Sequence, residues 1–265
     1  MQISKNQWII AGVGICAVLL LGILWRSAQK RTAEESLGVP PVATSSAPVA
    51  VATASTTPTV AYTGPFPVNT ADTISSWVFK GQYADSAVLM KQATDDNTHL
   101  SGLIGKGQYD DYDLYNGLGN NYSMLGEGKL AYENYNRAFS IHPDKGLGYV
   151  NLAHLMEALG AYHTAADAYT KAVRVEAGQL EYHLERLKFL TARFANDNTV
   201  ILAAFTDASK QFGDNAAILA LEAEWLAGEH RYADAIKAWE TVKKLSPENR
   251  QVSIDAEIAR LTAKQ

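Results

Sequence analysis

The chain has 265 residues, 47% of them hydrophobic, and a formal net charge of −5. That suffices for one sizeable domain with an appendage. From residue 66 onward 19 basic residues stand against 26 acidic ones, a net of −7, with no Lys/Arg run, so a nucleic-acid footprint is not supported. The single cysteine, Cys16, excludes an intrachain disulfide and a cysteine-built metal site.

Residues 1–7 are a short polar tail. Trp8 to Trp25 then runs for 18 residues without a charge and carries a tryptophan at each end. As a helix it spans roughly 27 Å, close to the hydrocarbon thickness of a bilayer. Residues 8–25 are therefore expected to be a transmembrane anchor. Trp25, Arg26 and Ser27 follow the apolar run where a cleavage site would need small residues, which argues against a removed signal peptide. Ile15 before Cys16 argues against a lipoprotein.

Residues 26–68 are expected to be a disordered linker. Positions 36–71 hold no charge and are rich in Ala, Pro, Thr, Ser and Val. Nothing there supplies a helical period or an apolar cluster to bury. A stretch of this kind reaches about 110 Å at most. The flanking basic residues lean weakly toward a cytoplasmic C-terminal side. The spacer resembles those that carry bacterial inner-membrane proteins' domains into the periplasm, and it decides the expectation: a single-pass plasma-membrane protein with a periplasmic C-terminal domain.

Residues 69–265 are expected to form an all-α domain. At 69–111, Trp77, Gly81 and Tyr83, then Ala87 to Ala93, suggest a weak helical pair. The signal strengthens from residue 112. Sliding the chain by 34 positions sets Tyr115 on Tyr149, Leu118 on Leu152, Leu125-Gly126 on Leu159-Gly160, Ala131 on Ala165, Tyr135 on Tyr169 and Ala138 on Ala172. Within each unit the apolar residues recur at helical spacing on two successive stretches. Gly126 provides a left-handed stop between them, and Pro143 ends the second. The units are placed at 112–145 and 146–179. A degenerate unit at 180–214 carries Leu184, Leu187 and Leu190, then Val200, Leu202, Ala203 and Phe205, with a break at 195–198. A unit at 215–249 repeats the pattern through Ala235, Trp239 and Pro247. Its offset requires two extra residues, which the turn Gly228-Glu229-His230-Arg231 is expected to hold. Residues 250–265 carry an Ile254, Ile258, Leu261 stripe and are expected to be a capping helix. Ser246 is its expected cap, with Pro247 in the first helical position.

At 115–144 and 149–173 the sequence resembles the tetratricopeptide repeat (TPR), with Ala177 standing where the family places a proline. The resemblance implies a right-handed superhelix of antiparallel helix pairs. It also implies a concave groove, lined by the first helix of each pair, that takes a protein or peptide partner. On that register the groove residues are Asp113, Asn116, Asn120, Ser123 and Met124, then Val150, His154 and Glu157, then Leu184 and Lys188. A carboxylate clamp, as in chaperone-binding TPR proteins, is incomplete here. Asn120, Asn151 and Lys188 fit it, but Asn116 and Leu184 stand at expected basic positions. The segment 228–265 also looks like the ends of periplasmic TPR subunits of cytochrome c haem lyases.

No phosphate-binding glycine loop, no His pair at metal-ligand spacing and no nucleophile–base pair can be placed. The sequence thus implies no enzyme, cofactor or metal. It implies a membrane-anchored scaffold for assembly of a cell-envelope complex, such as a pilus, a secretion machine or cytochrome-maturation machinery. The alternative is a membrane-bound chaperone that binds unfolded clients.

Overall fold

The computed structural model describes residues 64–265. The expected tail 1–7, anchor 8–25 and most of the linker 26–68 lie outside the described residues. The described part belongs to one compact unit. Among the described residues no helix is long and apolar enough to cross a membrane.

Ten helices run in chain order among those residues. Helix α1 (Ala87–Leu103) precedes four antiparallel pairs. These are α2 (Asp111–Leu125) with α3 (Gly128–Ile141), α4 (Gly146–Ala158) with α5 (Tyr162–Val175), α6 (Leu180–Arg193) with α7 (Asn198–Phe212), and α8 (Ala216–Gly228) with α9 (Tyr232–Leu245). Helix α10 (Glu248–Thr262) packs on α9 and closes the stack. The only ladder contact among the described residues is an isolated bridge between Val78 and Glu127. The all-helical, TPR-type stack implied by the repeat is therefore the architecture of the domain.

The pairs form because each second helix buries the same stripe. Tyr135, Tyr169, Phe205 and Trp239 are equivalent, and the first three are almost wholly buried. Ala131, Ala165, Ile201 and Ala235 precede them by one turn, each fully buried. Gly119 of α2 lets Tyr135 approach: a Cβ there would lie 2.5 Å from the tyrosine ring. Helix α2 stops at Gly126, whose φ of 84° suits glycine. One pair cannot cover such a face alone, so the pairs stack into a continuous core. Between the first two pairs, Phe139 and Tyr149 stack with ring centroids 4.1 Å apart.

Three features differ from the sequence expectation. The buried stripe of α7 is Ile201, Ala204, Phe205 and Ala208, whereas Val200 and Leu202 are exposed. Of the expected residues only Phe205 faces the core, set against Trp225, and Ala203 is exposed as well. The two extra residues sit at 194–197 and not at 228–231. The starts of α6 and α7 are 18 residues apart, against 16 for α4 and α5 and 16 for α8 and α9. The longer turn is held by Phe194 against His163 and Phe189, and by Asp197, which caps α7. Lastly, α10 begins at Glu248 with Pro247 as its N-cap residue; no side chain caps it, and the Ser246 carbonyl accepts from Gln251.

Residues 69–111 do not form a helical pair. Their second part is α1, and residues 64–86 form an extended strap. The strap starts before the expected domain boundary at 69 and lies along α3 and α5. Phe66 donates its N–H to Asn136 Oδ1 at 2.8 Å and accepts from Tyr132 OH at 2.7 Å, with its ring against Phe139 and Tyr149. Asn69 donates to Thr164 Oγ1 and to Asp167. Asp72 accepts from the backbone N–H of His163 and Thr164 and from the Thr164 hydroxyl. This caps α5, whose own N-cap residue, Ala161, has no side chain able to do so. Trp77 does the same for α3, accepting from Gly128 N–H at 2.8 Å. The strap then crosses the α2–α3 turn, where Gly81 and Gly126 let two backbones touch.

First helices of neighbouring pairs approach one another more closely than second helices do: α2 touches α4 and α6 touches α8. The first helices therefore form the inner side of the stack, and the strap fills the wider outer gap between α3 and α5.

Two substitutions test this account by urea denaturation. Gly119→Ala is expected to destabilise the domain by about 1–3 kcal/mol, through overpacking against Tyr135. Asp72→Ala is expected to remove about 0.5–2 kcal/mol, the size of a lost helix cap, and to speed hydrogen exchange at the Thr164 amide. Wild-type stability in both variants would contradict the joint and the strap respectively.

Candidate functional site: the inner wall of first helices

The inner wall is built by α2, α4 and α6, with α8 continuing it. Its side chains are ordered from behind by tyrosines of the second helices. Tyr135 reaches through its pair and donates its hydroxyl to Asn120 Oδ1 at 2.7 Å. Tyr169 does the same one pair later, donating to Glu157 Oε1 at 2.7 Å. Burial raises the pKa of both tyrosines, and for Tyr169 the neighbouring Glu157 adds to the rise. Both hydroxyls are therefore protonated donors at neutral pH.

The centre of the wall is a polar cluster shared by α4 and α6. His154 Nε2 lies 3.5 Å from Glu185 Oε2, and Lys188 Nζ lies 2.9 Å from Glu185 Oε1. The His154 ring meets the Tyr169 ring edge-on at 5.8 Å. Hydrogen bonding from His154, then from Lys188, holds the Glu185 carboxyl down at about 2 against the opposing effect of burial. At the edge of the wall, Lys145 bonds Asp110 at 2.7 Å and stands 4.3 Å from the centre of the Tyr112 ring. Tyr112 OH accepts from Gly148 N–H, and burial pushes its pKa up to about 12.

The expected groove residues divide into two groups. Asp113, His154 and Lys188 are exposed, and Asn120, Ser123, Met124 and Glu157 are half-buried, so a ligand on the wall can meet them. Asn116, Val150 and Leu184 are not available in this way: they are buried, at 7, 6 and 8% exposure. Asn116 accepts from Asn151 across the α2–α4 boundary at 3.3 Å, while Val150 and Leu184 belong to the packed core between pairs. The single-helix register placed them on the wall; the close approach of the next first helix covers them. Met124 also contributes backbone to the strap, accepting from Tyr83 N–H.

Glu185 is absent from the expected set, although it engages both the His154 imidazole and the Lys188 ammonium at the centre of the wall. It sits one position after Leu184, and only the spacing between α4 and α6 brings it to His154. Among the described residues no group of three or more His, Cys, Asp or Glu side chains is arranged to hold a metal ion.

The Glu185 pairings give the domain an acid-dependent component. Its carboxyl titrates at about 2 in the folded chain against an ordinary 4.5, so the unfolded chain binds its proton first as pH falls. Stability from these pairings is complete above about pH 4.5 and is lost on descent toward about pH 2. Glu185→Gln is expected to flatten the loss of urea stability between about pH 5 and about pH 3. An unchanged slope would show that the pairings contribute nothing.

A scan against protein-family models finds no match, and no curated protein matches the sequence. Solved structures similar to this chain include TTC0263, a thermophilic TPR protein of Thermus thermophilus, at 17% identity and a TM-score of 0.43, covering 66% of this chain and 93% of that one. Another is the TPR2AB domain of yeast Sti1 in complex with pHSP90, at 15% identity and a TM-score of 0.37, covering 69% of this chain and 81% of that one.

Proposed function

We propose that the chain is a scaffold that holds a polypeptide partner along the inner wall of its first helices. The observation that carries this reading is an asymmetry. The outer gap between α3 and α5 is filled by the chain's own strap, whose Phe66, Asn69 and Asp72 use the polar groups there. On the inner wall Asp113, His154 and Lys188 are exposed; Tyr135 and Tyr169 order α2 and α4 from behind, and Glu185 holds Lys188 on α6. Side chains fixed before binding lose little entropy on binding, which favours a defined partner.

The apolar run at 8–25 supports a membrane anchor for this scaffold, and the uncharged spacer after it supports a domain held on the periplasmic side. On this reading the protein serves the assembly of a cell-envelope complex, recruiting one component to the membrane.

Photo-crosslinking in intact cells tests this. A crosslinking residue placed at Asn120, His154 or Lys188 is expected to capture one or a few partners in the membrane fraction, and one placed at Lys129 or Arg174 on second helices is expected not to. Joint replacement of the uncharged wall residues Asn120, Ser123 and Met124 by alanine is expected to reduce partner recovery at least about tenfold, equivalent to about 1.4 kcal/mol. Capture from the outer positions alone would refute the groove. Broad capture of many unrelated proteins would favour a client-binding chaperone.

A further inference from the structure

We propose that the inner wall selects a partner segment bearing lysine or arginine side chains, and does not grip a terminal carboxylate. The inference rests on the groove reading above and adds the chemistry of the ligand.

The charges are sorted by face. The first helices α2, α4, α6 and α8 carry seven carboxylates and three cations. The second helices α3, α5, α7 and α9 carry five carboxylates and eight cations. The imbalance on the inner wall is sharper than these totals. Arg186 is only 11% exposed and turns away to Asp207 of α7. Arg193 lies over the Tyr162 ring of α5. Lys188 is on the wall but is bonded to Glu185. His154 faces the same carboxylate. Of the two amides that a clamp would use, Asn151 donates to Asn116, and Asn120 is turned by the Tyr135 hydroxyl on its Oδ1. Among the described residues of these four helices, no cation is left uncommitted for an anionic ligand.

Carboxylates are in the opposite situation. Asp113 is 65% exposed, and its nearest cation, Lys145, stands 3.8 Å away while bonding Asp110 more closely. Glu157 receives one hydroxyl on Oε1. Glu224 on α8 keeps much of its surface exposed and has the carboxylate of Glu257 as its charged neighbour; partial desolvation and that like charge raise its pKa. A wall on which carboxylates outnumber cations, and on which the cations present are already paired, carries a net negative potential, so a cationic side chain gains there and an anionic one is repelled.

The full chain can be tested with two fluorescein-labelled probes matched in length, one of alternating alanine and lysine and one of alternating alanine and glutamate, by fluorescence anisotropy at low salt. The lysine probe is expected to bind at least tenfold more tightly, and its affinity to fall steeply as salt rises through about 0.1 M, where screening acts within about 10 Å. The double variant Asp113→Asn, Glu224→Gln is expected to weaken it at least threefold. The double variant Glu133→Gln, Glu240→Gln, which changes net charge equally on second helices, is expected to leave it unaltered. Equal weakening by both variants would reduce the effect to net charge and overturn the proposal. So would equal binding of the glutamate probe. The two readings separate on the native partner: crosslinks joining the inner wall to an acidic or neutral segment overturn the charge selection and leave the groove standing. Crosslinks confined to the outer face overturn the groove itself.

Discussion

The stack depends on the joint within each pair, where an aromatic ring of the second helix is packed against the first helix. Tyr135 against Gly119 shows its demand most plainly, since no side chain atom fits between them. The joint fixes the distance between the two helices of a pair, and so fixes the face that the pair offers to its neighbours. In the first two pairs it also does something beyond packing. Tyr135 and Tyr169 pass through the pair and present hydroxyls to Asn120 and Glu157 on the far side. Core packing and the order of the inner wall are thus one structure. A substitution such as Tyr→Phe at these positions preserves the joint and releases the wall.

The strap solves a different problem. Helix N-termini leave backbone N–H groups without partners, and α3 and α5 begin with no capping side chain of their own. Trp77 and Asp72 supply the acceptors from a segment far away in sequence. The same segment fills the gap that curvature opens between second helices. Capping and gap-filling share a cause: where first helices close up, second helices part, and something must cover the exposed backbone and apolar faces between them. The strap makes the outer side of the first two pairs self-sufficient, which leaves the inner side as the surface with unused recognition capacity.

How much of this was legible in the sequence follows the range of each interaction. The 34-residue period, the stop at Gly126 and the aromatic–alanine stripe of the first two units are repeated local patterns, and each predicted an observed element. The third unit kept only part of that pattern. Phe205 was placed correctly, but with Val200 and Leu202 as apolar as Ile201, and Ala203 as small as Ala204, composition cannot tell which of the adjacent residues meets the core. The position of the two extra residues was likewise ambiguous: His230 takes the left-handed conformation, φ 61°, that Gly160 occupies in the second unit. A turn of ordinary length thus lacked its glycine and looked longer than it is. The strap was illegible because its bonds span 41 to 98 residues and follow no period. In the site, exposed positions on single helices were read from the register, whereas the burial of Asn116, Val150 and Leu184 and the role of Glu185 arise only when two first helices meet.

The later pairs depart from the earlier ones in a consistent direction. Leu118 and Leu152 occupy equivalent buried positions of α2 and α4. Arg186 and Glu222 occupy the same position in α6 and α8. Arg186 is stabilised by Asp207, and Glu222 stays half-buried with its pKa raised by desolvation. A leucine in either place would add cohesion between pairs, so the charges weaken the stack where they occur. In a repeat array each pair is stabilised mainly by its neighbours, so the cohesive first two pairs, reinforced by the strap, form the firm end. The last two form the end that opens most easily. The wall inherits this gradient. Its first half is ordered from behind by tyrosine hydroxyls, whereas Phe205 and Trp239 supply no hydroxyl to α6 or α8. Carboxylates without a dedicated cation run along the whole wall, from Asp113 of α2 to Glu224 of α8. On the proposed reading, a partner engaging the full length would meet a preordered surface at one end and a less ordered one at the other, with acidic side chains throughout.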